Sequence, residues 1–290
     1  MRTQPCRNTK RRFVDTLSRV AFITGEDATR RAGAIACRQY GQGSDCGQNR
    51  RMPAPTTLID AARADLACAL RAADDYGLGE GVCNHFSLAL PDGRFLINPQ
   101  GLAWREVGPD DLVTIDAQGR KLAGRHEVEP TAFFIHGWIH RVAAQATCVL
   151  HTHMPYATAL SMLEGGRLQM AHQNALRFFG AVAYDEQYNG LVLDDAEGER
   201  IARKLGADAR TRVLFLASHG VIVIGPTVAW AFDDLYYLER ACMHQVLAMG
   251  SGQPLKLIAE HVAARTARQM DGERQQSDLH LAALRRRYGY

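Results

Sequence analysis

Apolar positions along the chain fall into runs whose spacing alternates between helical and extended periods. In TTLIDAARADLACALRAADDYG, residues 59, 62, 66, 67, 69 and 70 form one apolar helical stripe. Asp60 stands near its start, and Gly77, Gly79 and Gly81 stop it. HFSLALPDGRFLINPQG follows, two short alternating runs around Pro-Asp-Gly-Arg, which predicts a hairpin. LVTIDAQGRKLAG repeats the device around Ala-Gln-Gly-Arg. Pro130 suits the first turn of a helix that TAFFIHGWIHRVAAQ continues. ATCVLHTH predicts a buried strand, and PYATALSML a helix with Pro155 in its first turn. Residues 168–184 follow no single period. LDDAEGERIARKLG predicts a short amphipathic helix ended by Gly206, and RVLFLASHGVIVIG two strands around a tight Ser-His-Gly turn. A long helix opens at Pro226 and Thr227 and ends before Gly250; its Trp230, Phe232, Leu235, Leu238 and Cys242 read as core and packing positions. The last forty residues are mostly helical.

No internal repeat is present, and no linker splits the chain after residue 51. Helices interleave with hairpins instead of alternating strictly with single strands. This pattern predicts one α/β domain with a largely antiparallel sheet and helices on its faces.

Charge changes the picture only at the N-terminus. The formal net charge of +3 over 290 residues gives no reason to expect a nucleic-acid partner. Residues 1–51 hold eleven basic and four acidic side chains, whereas the rest holds 23 basic and 27 acidic. The basic leader, 1–51, reads as a disordered extension or as upstream sequence before a start at Met52; a transit peptide or a nucleic-acid arm are the other readings. The functional domain is then 52–290. No apolar stretch approaches 18 residues, so no membrane span is expected. Seven cysteines at irregular spacings, without a C-x-x-C, predict free thiols in a reducing cytoplasm.

Candidate chemistry centres on histidine. His151 and His153 are two apart in an extended run, so their side chains emerge on one face and can converge on one ion. A helix would turn them roughly 200° apart. His219, in the turn between two apolar strands and beside Gly220, is the candidate third ligand. Three neutral imidazoles leave a coordination position open for substrate. His136 and His140 form a competing pair at i, i+4 on a helix. That helix is strongly apolar, which favours a packed His136 and a His140 near the surface.

HTHMPYATALS, the IHGWIHR helix before it, ASHGVIVIGPTVAWAFDDLYYLERAC after it, NHFSLALPDGRFLINPQG and AHQNALRFFG together resemble the class II aldolase/adducin family over residues 56–280. The resemblance implies a three-layer α/β/α sandwich with a mainly antiparallel central sheet, assembled as a homotetramer. It also implies one divalent metal per chain, most often Zn, with Mn or Fe as alternatives, held by His151, His153 and His219. Family sugar-phosphate aldolases carry a catalytic Glu four residues before the helix histidine and two serines before that Glu. Those positions here are Ala132, Pro130 and Thr131. The chain therefore resembles the adducin-like branch, which a histidine at the place of His85 also marks.

These readings predict a metal-dependent lyase acting by aldol cleavage, decarboxylation or related enediolate chemistry on a small carbonyl or carboxylate substrate. Glu129 is the candidate proton-shuttling carboxylate, against its reading as a solvated carboxylate at a helix N-terminus. Tyr184 and Glu186 are weaker candidates. His85, Ser87, Gly101 and Thr131 are the candidate substrate contacts. A C-terminal Tyr288 or Tyr290 reaching a neighbouring subunit would match a family habit; a frayed basic terminus is the plainer expectation. The other readings are a non-catalytic adducin-like protein-binding module and a non-haem iron oxygenase, although the latter's facial triad uses two His and a carboxylate.

Overall fold

The computed structural model describes residues 57–290. The basic leader and its boundary at Met52 lie outside the described residues. The first elements are α1 (Leu58–Asp75), β1 (His85–Ala89), β2 (Phe95–Ile97), β3 (Val113–Ile115), β4 (Lys121–Ala123), α2 (Pro130–Val142), β5 (Cys148–Thr152) and α3 (Pro155–Ser161). They continue with α4 (Gln173–Leu176), β6 (Val182–Asp185), α5 (Asp195–Gly206), β7 (Val213–Leu216), β8 (Gly220–Gly225), α6 (Val228–Met249), α7 (Glu260–Gly272) and α8 (Gln275–Tyr288).

Local chemistry sets the ends of these helices. The Thr57 hydroxyl accepts the Asp60 N–H at 3.1 Å to cap α1, and Thr227 accepts the Trp230 N–H at 3.2 Å to cap α6. Pro130 and Pro155 open α2 and α3, where a missing N–H costs nothing.

The eight strands form one sheet in the order β4-β3-β2-β1-β5-β8-β7-β6. Every pairing is antiparallel except β6 with β7. That parallel edge lies in the stretch where periodicity was silent: residues 168–184 hold the short helix α4 and then β6.

Side-chain alternation builds a core on each face. Cys148 and Leu150 of β5, with Val221 and Val223 of β8, pack against Leu66, Leu70, Phe232 and Leu235 of α1 and α6. Val149, Leu214, Ile222 and Ile224 pack the other way, against Ile135, Ile139, Ile201 and Leu205 of α2 and α5. The result is a helix–sheet–helix sandwich. Helices α2 and α5 approach so closely that a Cβ on Gly198 would lie 2.5 Å from the Phe134 carbonyl oxygen.

A buried ionic cluster, not apparent from periodicity, fastens the C-terminal helices. Asp233 and Asp234 of α6 are each 1% exposed. Arg177 meets Asp233 at 2.6 Å, Arg274 meets Asp234 at 2.7 Å, and Arg212 meets Asp234 at 3.1 Å. Ser277 and His280 of α8 bond Asp233, both at 2.8 Å. Within the chain, the C-terminal tyrosines pack back onto α1. Tyr288 donates to Asp75 of α1 at 2.6 Å, and the Tyr290 ring lies under the Arg71 guanidinium.

Candidate metal centre and substrate cavity

Three imidazoles meet at one end of the sheet. The register pairs His85 of β1 with His151 of β5, and His151 with Ile222 of β8. Alternation sends His151 to the face that carries Val149, toward α2. His153 follows just past the end of β5, and His219 occupies the β7–β8 turn. Ring centroids are 5.1 Å apart for His151 and His153, and 4.8 Å for His219 with each of the others. One ring nitrogen from each lies within 4.8 Å of the others.

The backbone around His219 is built for this approach. Ser218 takes a left-handed conformation at φ 54°. A Cβ on Gly220 would sit 2.5 Å from the Thr152 carbonyl oxygen and 3.0 Å from the His153 ring, so the turn closes on the end of β5 only with glycine there.

Hydrogen bonds assign the imidazole tautomers. His151 Nδ1 donates to the Val221 carbonyl at 3.0 Å. His153 Nδ1 donates to the Glu80 carboxylate at 2.8 Å, which leaves His153 Nε2 buried with no hydrogen-bond partner among the described residues. Imidazoles oriented through the second nitrogen in this way are the usual state of metal ligands. Burial first, then the neighbouring imidazoles, holds the His151 pKa well below its ordinary value. The same causes bring His219 down to about 4. Both therefore offer neutral lone pairs at pH 7, and the donor set fits a divalent ion such as zinc. The fit includes Glu80, which spacing along the chain did not reveal. Asn84 holds its loop in place: the Asn84 side-chain oxygen accepts the Glu80 N–H at 2.8 Å and the His153 N–H at 3.2 Å.

The trio opens on a cavity of about 860 Å³. His85, Gly101, Glu129 and Thr131, expected as site residues, all line it. Gly101 is left-handed at φ 82°. Val82, Cys83, Gln100, Ile135, Tyr188, Leu191 and Val192 complete much of the wall. Tyr188 stands with its ring centroid 6.3 Å from that of His219.

Glu129 is the N-cap of α2 and accepts the Ala132 N–H at 3.0 Å. Its Oε2 also accepts the Thr131 hydroxyl and lies 3.2 Å from His85 Nε2. Burial alone would raise this carboxyl, but the contacts with His85, Thr131 and Ala132 prevail and lower it to about 2. It is thus a fixed anion on the cavity wall, with only about a quarter of its side chain exposed, and not the solvated carboxylate of the plainer reading. Ala132, at the position of the family's glutamate, is 1% exposed and packs with Phe95, Ile97 and Val113.

Two expectations are corrected. Ser87 does not line the cavity: it is 1% exposed, and its hydroxyl lies 2.6 Å from His136 Nδ1 and 2.7 Å from His140 Nε2. Strand alternation gives it the same face as His85, but α2 covers it. His140 is half-buried, with its Nδ1 donating to the Ala146 carbonyl at 2.7 Å and its ring stacked on Phe95. Tyr184 and Glu186 face a separate cavity, where the Tyr184 hydroxyl accepts the Leu168 N–H at 3.0 Å and Glu186 pairs with Arg167. The packed reading of His136 stands, with that residue 1% exposed.

Residues 64–246 match the Class II Aldolase and Adducin N-terminal domain family, and the chain belongs to it. A Pseudomonas aeruginosa protein named for the aldolase class 2 group, PA3430, is 34% identical over 204 residues, 70% of this chain and 77% of that protein. The decarboxylase NovR of Streptomyces niveus is 31% identical over 217 residues, 71% of this chain and 77% of NovR. The crystal structure of an aldolase II superfamily protein from Pseudomonas syringae superposes with a TM-score of 0.73 at 31% identity, covering 82% of this chain and 94% of that one. Among the described residues, no helix is long and apolar enough to cross a membrane.

Proposed function

We propose that the chain is a divalent-metal-dependent lyase that decarboxylates, or cleaves by retro-aldol chemistry, a small oxo- or hydroxy-acid. The observation that carries this reading is the convergence of His151, His153 and His219 at the cavity, with two of the rings already oriented through Nδ1. These three residues would hold the ion, zinc being the choice that suits three imidazoles. A bound divalent cation supplies Lewis-acid polarisation of a carbonyl or carboxylate oxygen.

The remaining residues limit the chemistry. Glu129 is ionised at neutral pH and faces the cavity, so it can accept a proton, but a carboxyl lowered to about 2 is a weak base. That favours loss of carbon dioxide, which removes no proton from carbon, over abstraction of a C–H proton. NovR's name as a decarboxylase agrees with this direction. Glu129 also lies 3.2 Å from His85 Nε2 on the wall, while Gly101 and Thr131 bound the substrate space. Retention of all three histidines weighs against the non-catalytic binding module. We also propose a cytoplasmic homotetramer, as the family resemblance implies.

The test is turnover. Zinc-, manganese- and iron-loaded protein is incubated with a panel of oxo- and hydroxy-acids, with release of carbon dioxide and of carbonyl products followed. Metal-dependent turnover lost in His151→Ala supports the proposal. A metal-loaded, folded chain inert across the panel, or one equally active without metal, contradicts it.

A further inference from the structure

The side chains around the cavity bear on the substrate's chemistry, given the reading of this cavity as the substrate site. Among the described residues that line it, none is Lys or Arg, whereas Glu80 and Glu129 both contribute carboxylates. Away from the histidine trio, a phosphate dianion would find carboxylates and no guanidinium or ammonium to pair with. At the N-terminus of α2, Pro130 has no N–H to offer, and the Ala132 N–H and Thr131 hydroxyl both go to Glu129.

The apolar lining has the opposite character. Leu191 is 72% exposed, Tyr188 55% and Val82 42%, and the buried Ile135 also lines the cavity. Large apolar side chains left in water around a polar centre form the kind of surface that an apolar ligand group covers.

We propose that the site takes an unphosphorylated oxo- or hydroxy-acid with an aryl-sized apolar substituent, its polar end at the histidine trio and its apolar end against Val82, Tyr188 and Leu191.

The test is a calorimetric titration of the full chain with three ligands that share one 2-hydroxy-acid core: lactate, 3-phenyllactate and 3-phosphoglycerate. Zinc content is measured first, and the series is run on both zinc-loaded and metal-free protein. The expected result is 3-phenyllactate at least tenfold tighter than lactate, equivalent to about 1.4 kcal/mol, and 3-phosphoglycerate no tighter than lactate. Leu191→Asn should weaken 3-phenyllactate several-fold more than it weakens lactate. Equal affinity for lactate and 3-phenyllactate, a preference for 3-phosphoglycerate, or no binding of any of the three would overturn the inference. A chain that holds no zinc, manganese or iron refutes the metal-dependent function by itself; the phenyl-over-phosphate preference is then read on the metal-free protein, where its presence supports the inference and its absence overturns it.

Discussion

Glu80 and His153 are separated by 73 residues, yet the Glu80 carboxylate accepts the His153 Nδ1 proton at 2.8 Å. This contact fixes the tautomer of one proposed metal ligand and leaves Nε2 without a hydrogen-bond partner among the described residues. Carboxylate partners of metal-binding histidines commonly change metal affinity 10- to 100-fold when lost. Glu80→Ala should therefore bind zinc about 10- to 100-fold more weakly, measured by chelator competition, while the far-ultraviolet circular dichroism stays unchanged. Unaltered affinity would show that the contact does not orient the ring.

Gly220 carries the approach of the β7–β8 turn to the end of β5. A Cβ there would sit 2.5 Å from the Thr152 backbone oxygen, which cannot rotate away as a side chain could. Gly220→Ala should destabilise the fold by about 1–3 kcal/mol, the usual cost of overpacking, and should lower zinc stoichiometry at a fixed zinc concentration. Urea unfolding and metal analysis read the two effects.

Asp234 is 1% exposed and meets Arg177, Arg212 and Arg274. Its removal would leave buried guanidinium groups short of a counter-charge. Asp234→Ala should cost about 3–5 kcal/mol in chemical unfolding. It should also raise the proteolytic susceptibility of α7 and α8, which Arg274 and its neighbours hold against α6.

Glu239 provides a pH test. Its carboxylate accepts the Tyr156 and Ala157 N–H groups at 2.8 and 2.9 Å, at the start of α3. Burial outweighs these bonds and pushes the carboxyl up to about 7 from an ordinary 4.5. Between those values the folded chain binds more protons at this position than the unfolded chain. Its contribution is therefore full below pH 4.5 and is lost as pH rises through about 7. Relative to Glu239→Gln, the wild type should lose on the order of 3 kcal/mol between pH 4.5 and 8. Denaturant titrations of both proteins across that range measure the difference; a flat difference contradicts the assignment.

The histidine trio was legible because two simple rules apply to it. Residues two apart on a strand share a face, and a histidine beside glycine between two apolar strands sits at a strand end. The helix–sheet–helix layering followed from hairpins interleaved with amphipathic helices. What stayed hidden depends on contacts between distant loops. Glu80 comes from a glycine-rich turn, Tyr188 and Leu191 from the loop after β6, and no local period marks any of them. Ser87 misled because alternation gives its face but not the helix that covers it. Tyr184 misled because the parallel strand β6 owes its position to β7, not to its own pattern. Asp233 and Asp234 look like solvated charges in an apolar helix until Arg177, Arg212 and Arg274 are seen around them.

The central claim is most directly tested by the metal content of the purified chain after zinc loading and desalting, with His219→Ala in parallel. The account predicts one zinc per wild-type chain and a large loss in the variant, with both proteins folded. A folded wild type that retains no zinc, manganese or iron, or a His219→Ala chain that retains as much as the wild type, would contradict it.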